Sequence, residues 1–241
     1  MNNALSILTN DDSSLVDKTN ATKLLTLCAI ENPNNRGIIG RYDDGDALKV
    51  VVSLLLGNEG AGNLSGAAEA GEAIWILSFN DNENIQGFLS FGALRALINV
   101  VLSPSAQERD KMWALAAIQN LAASYCETPT GHCWWAFDED KKGLYLHQDS
   151  PIVIDGSNTR KHLLEEKELL HSLEHIICKG AAKAPSFPSR AKSYENFSEM
   201  STWSAIGALR NILLFEDAEF VALKMKACLC TLLSSPDWLV R

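Results

Sequence analysis

The strongest pattern in this chain is a stripe of apolar residues at helical spacing that occurs more than once. Leu48, Val51, Leu55 and Leu56 fall at i, i+3, i+7 and i+8, the positions that one face of an amphipathic helix turns toward a core. Leu94, Leu97, Val101 and Leu102 repeat that spacing 46 positions later, and Leu170, Leu173, Ile177 and Cys178 repeat it again. A weaker fourth copy runs through 225–233. A second, Ala-rich helix type is predicted between these copies, over 69–78, 113–122 and 203–213. Its matching positions are Ala73, Ala117 and Ala208, followed by Leu77, Leu121 and Ile212. No segment of comparable length alternates with period two, so the expected fold class is all-α.

Two stretches break the period. Residues 124–160 contain Gly-His-Cys-Trp-Trp, a charged turn and a strand-like Pro-Ile-Val-Ile, and the helix copies flanking them stand 76 apart instead of 46. This predicts an irregular insertion. Residues 180–200, with Pro185, Pro188 and several Ser, read as a shorter loop. Gly57 to Gly66 is rich in glycine but has no preceding strand and no following Lys-Ser/Thr, so it is a connection and not a phosphate loop.

Residues 67–102 resemble an armadillo repeat: an Ala-rich helix, Asn-Asp-Asn-Glu-Asn, an Ile, then Gly-Ala-Leu opening the next helix. Ala-Ile-Gln-Asn-Leu-Ala at 117–122 and Ala-Leu-Arg-Asn-Ile-Leu at 208–213 are similar to that family's third-helix signature. The resemblance implies a right-handed α-solenoid of about four repeats with an irregular insertion. The expected organisation is a tail over 1–16, repeats over 17–123, the insertion over 124–160 and further repeats over 161–241. The chain closes on Ser-Ser-Pro-Asp-Trp-Leu-Val-Arg, similar to the run-in to another third helix, which predicts a truncated array or a last face covered by a partner.

In such an array the third helices line a concave groove. The family's Asn then places Asn120 and Asn211 there, with Ala116 and Trp113 on the stripe of Asn120, and Gly207 and Trp203 on that of Asn211. In the preceding unit Ile76 takes the Asn position, and Glu72 and Glu69 share its stripe. Asn amides suit an extended main chain, Trp faces pack aliphatic stems or cations, and Glu pairs with Lys or Arg. Two other roles stay open: the Trp residues as packing between helices, and the Asn residues as braces between repeats. Importin-α-like armadillo proteins also carry Trp and Asn ladders, but there Trp precedes Asn by four positions, whereas here the spacing is seven and eight. Nuclear import is therefore not implied. In the insertion, the adjacent Trp134 and Trp135 are expected contact residues, one for the solenoid and one for a partner.

Composition narrows the function further. The chain has 241 residues, a net charge of −9 and a pI near 5.0, which opposes sequence-independent nucleic-acid binding. Cys126, His132, Cys133 and His147 cluster in the insertion, but without the short Cys-x2–4-Cys knuckle of structural zinc sites, so no metal is expected. No nucleophile–base–orienter set can be identified, so neither catalysis, a cofactor nor a small-molecule substrate is expected. The six cysteines form no dense framework, the first residues lack a basic and apolar leader, and no apolar run nears the roughly 20 residues of a membrane span. The expected location is the cytoplasm, with the nucleus as the alternative, and no membrane partner. The functional expectation is a scaffold or adaptor holding an extended, locally basic segment of another protein. The alternative is a structural subunit built permanently into a larger assembly.

Overall fold

The structure, a computed structural model, describes residues 1–56, 66–79, 81–122, 125–126, 136–138, 143–145, 152–154, 157–181, 201–202 and 204–209. Helices α1 (Asn2–Thr9), α2 (Leu15–Glu31), α3 (Asn34–Gly40), α4 (Asp46–Leu56) and α5 (Ala67–Leu77) are followed by α6 (Asn82–Ser90), α7 (Ala93–Leu102) and α8 (Glu108–Leu121). Four short strands come next: β1 (Tyr125–Cys126), β2 (Ala136–Asp138), β3 (Gly143–Tyr145) and β4 (Ile152–Ile154). Helices α9 (Ser157–Glu165) and α10 (Lys167–Ala181) follow, and residues 201–202 and 204–209 are again helical. The protein is mainly helical, as the periodicity predicts, and the first three apolar stripes fall on α4, α7 and α10. The fourth copy, at 225–233, lies outside the described residues.

The helix starts follow from local chemistry. Ser14 caps α2 by accepting from the Asp17 amide at 3.1 Å, and Asp81 caps α6 by accepting from the Asn84 amide at 3.0 Å. Gln107 and Asp110 form a reciprocal capping box on α8. Helix α5 opens at Gly66, whose φ of 98° lies in the left-handed region that glycine enters without steric cost.

The helices pack in rows. Helix α1 lies on α4, α4 on α7 and α7 on α10; α2 lies on α5 and α5 on α8; α3 lies on α6. The core sits between the first two rows, where Leu5, Leu8, Leu25, Leu55, Ile74, Leu97, Leu115 and Leu121 are buried. Phe88 of α6 and Ile39 of α3 close it from the third row. Among the described residues, no single helix is long and apolar enough to cross a membrane.

Two segments differ from the sequence expectation. Residues 1–16, read as a tail, contain α1, and Ala4, Leu5 and Leu8 of this helix are buried against the core. At eight residues α1 is too short for its period to be told from the sequence. The segment 124–160, read as irregular, holds two antiparallel ribbons, β1 with β4 and β2 with β3, and the first residues of α9. Strands of two or three residues are below the length at which alternation can be seen.

Candidate functional site

The row α2–α5–α8 sets up the site because its helices run in the same sense. Along α5 and α8 the contacts advance together: Glu69 meets Arg109, Gly71 meets Trp113, and Trp75 meets Trp113 and then Asn120. The close approach depends on Gly71. A β-carbon there would stand 3.0 Å from the backbone carbonyl carbon and the Cβ of Trp113, and 3.2 Å from the Ala114 nitrogen. The rings of Trp75 and Trp113 then pack with centroids 5.3 Å apart and planes tilted by 39°, within the range of attractive aromatic pairs.

The C-terminal end of α5 is tied down by side chains from three other segments. Helix ends leave carbonyls without intrahelical donors. Asn120 Nδ2 donates to the Trp75 carbonyl at 2.8 Å, and Asn84 Nδ2 donates to the Leu77 carbonyl at 2.9 Å. Arg36 Nη1 donates to the Phe79 carbonyl at 2.9 Å and stacks over the Phe79 ring at 5.2 Å. Burial holds the Arg36 guanidinium below its ordinary range, with Asp81 opposing.

Between α5 and α8 lies a cleft of about 310 Å³, lined by Trp75, Phe79, Met112, Trp113, Ala116 and Asn120, with Gln119 and Ser204. Its walls are aromatic and aliphatic, with amide groups at Gln119 and Asn120. Toward the N-terminal end of α5 the surface becomes charged. Glu69 Oε1 meets both Lys23 Nζ of α2, at 3.3 Å, and Arg109 Nη1 of α8, at 3.0 Å. Burial works to raise the Glu69 carboxyl, but its backbone hydrogen bond and the two cations outweigh this and leave it below the usual range. Burial raises the Glu72 and Asp110 carboxyls, with Arg109 opposing in both. Among the described residues no salt bridge neutralises Glu72.

The structure brings Trp113, Ala116 and Asn120 together on one wall of the cleft, as their helical spacing predicts. All three are largely buried, and Asn120, 2% exposed, spends its donor on the neighbouring helix. Gly207 packs against the Gln119 side chain of α8. Glu69 is buried and already paired within the chain, whereas Glu72 is half-buried. Trp203, Asn211, Trp134 and Trp135 lie outside the described residues, as do His132, Cys133 and His147. Among the described residues no group of three or more His, Cys, Asp or Glu is placed to hold a metal ion.

Sequence reading missed Trp75, Phe79 and Met112. Trp75 stands one position before Ile76, which takes the place of the family's Asn, and following only that stripe passed over the larger neighbour beside it. Lys23 and Arg109 were missed because their partner, Glu69, is 46 and 40 positions away.

A solved structure of an engineered protein has a similar fold. It matches 98% of this chain and 74% of its own at a TM-score of 0.63 and 15% sequence identity, so the likeness shows the fold alone. No protein-family model matches the chain, and no curated protein matches it in sequence.

Proposed function

We propose that this chain is a non-catalytic binding module, an armadillo-like right-handed solenoid of about four repeats. Its row of parallel helices holds an extended, locally basic segment of another protein. The observation that carries the reading is the cleft between α5 and α8, where Trp75 and Trp113 present aromatic surface; Glu72, one turn before Trp75 on α5, is half-buried and forms no salt bridge among the described residues. Aromatic faces take the aliphatic stems and charged heads of Lys and Arg, and a half-buried carboxylate with no direct ion pair favours a cation from a partner. The net charge of −9 supports attraction of a basic segment over distance. In this reading Asn120 braces the groove wall and Trp75 makes the contact, because Asn120 already bonds to α5.

Affinity purification of the full chain followed by mass spectrometry identifies copurifying proteins, and titration of their basic segments tests the site. Trp75→Ala is expected to weaken binding at least about tenfold, the size of a lost aromatic anchor. Unchanged affinity in that variant would remove the groove assignment. So would the absence of any directly binding segment.

A further inference from the structure

Helix α2 carries apolar residues on both its buried and its exposed face. Its buried positions are Ala21, Thr22, Leu25, Thr26 and Ala29. Thr22 and Thr26 return their hydroxyls to carbonyls one turn back, at 2.9 Å each. Leu25 is in the core, but four other large aliphatics face outward: Val16 is 65% exposed, Leu24 56%, Leu27 55% and Ile30 49%. With Asp17, Asn20, Lys23 and Glu31 they form one exposed arc at steps of three and four residues. Single exposed apolar residues are ordinary, but Leu24, Leu27 and Ile30 at successive steps of three mark a surface meant to be covered. Lys23 belongs to this arc and reaches Glu69 of α5, so the arc adjoins the face that carries Glu72 and Trp75.

Charge selects what covers it. Glu69, Glu72 and Asp110 put three carboxylates on the adjoining face against two cations, Lys23 and Arg109, which both pair directly with Glu69 and reach Glu72 only through space. We propose that the outward face of α2 docks the aliphatic side chains of an amphipathic partner segment, and that a Lys or Arg of the same segment sits against Glu72 beside Trp75. This rests on the groove reading above and adds to it an apolar half. An anionic membrane is opposed by the acidic surface, and a second copy of the chain would bring its own carboxylates against these.

The test is selection of displayed random peptides on the purified full chain, followed by titration of synthetic versions against wild type, Leu24→Ser/Leu27→Ser and Glu72→Gln. Circular dichroism checks folding; if the double variant is unfolded, Leu24→Ser alone carries the comparison. The expected peptides combine aliphatic residues with a nearby Lys or Arg, and each variant binds them about tenfold more weakly. Purely basic peptides that respond to Glu72→Gln and ignore the leucine changes would overturn this assignment and leave the groove reading standing. Enrichment of no peptide at all would remove both. Flotation with phosphatidylcholine or phosphatidylserine vesicles that the leucine changes abolish would reassign the stripe to lipid. A dimer in sedimentation that the same changes dissolve would reassign it to a second copy.

Discussion

Replacing Asn120 by Asp changes one atom type at the junction between α5 and α8. The Asn120 amide donates to the Trp75 carbonyl at 2.8 Å, and the residue is 2% exposed. An ionised Asp would set a carboxylate oxygen against that carbonyl oxygen, with no donor on either side. The loss of a buried neutral hydrogen bond costs about 1 kcal/mol, and an uncompensated buried charge raises the total to about 3–5 kcal/mol. Protonated Asp can donate again, so the folded state holds its proton more tightly than the unfolded chain does. The folded-state pKa is therefore raised, and the penalty appears as pH rises through the carboxylate range and shrinks below it. Urea unfolding followed by far-ultraviolet circular dichroism at pH 7 and pH 4 reads this directly. At about 1–3 kcal/mol per molar urea, the midpoint at pH 7 should fall by more than about 1 M, with partial recovery at pH 4. Asn120→Ala, which adds no charge, should cost about 1–3 kcal/mol independently of pH. A pH-independent Asp effect, or one within about 1 kcal/mol of wild type at pH 7, would refute the assigned bond.

Gly71→Ala should destabilise despite alanine's helix-propensity gain of about 1 kcal/mol, because the new methyl meets immovable Trp113 backbone and overpacking costs about 1–3 kcal/mol; a raised melting temperature would show that α5 and α8 separate freely. Phe88→Ala removes a fully buried ring and should cost about 3–5 kcal/mol in chemical unfolding, whereas a loss under about 1 kcal/mol would contradict its place in the core. Burial raises the Glu72 carboxyl, so ionising it opposes folding as pH rises through its folded-state pKa. Glu72→Gln should accordingly raise the melting temperature at pH 7 and lose that advantage near pH 4, where Glu72 is protonated; an unchanged or lowered melting temperature at pH 7 would contradict its burial.

The helical class and three of the apolar stripes were legible in the chain, because Leu48 to Leu56, Leu94 to Leu102 and Leu170 to Ile177 carry a period that only one backbone geometry can bury on one side. It also placed Trp113, Ala116 and Asn120 on a common face, since helical spacing alone decides which residues share a stripe. What those residues meet was decided by packing. Asn120 could equally have faced a ligand or a neighbour until α5 placed the Trp75 carbonyl 2.8 Å from its amide. Glu69 read as a free carboxylate until Lys23 and Arg109 converged on it from helices on either side. The cleft depends on Gly71, whose missing side chain matters only because α8 passes within contact distance. Helix α2 shows the limit most clearly: its two faces are both apolar enough to be buried, so periodicity alone could not choose between them. The neighbouring helices took the side of Ala21, Leu25 and Ala29 and left Leu24 and Leu27 in solvent.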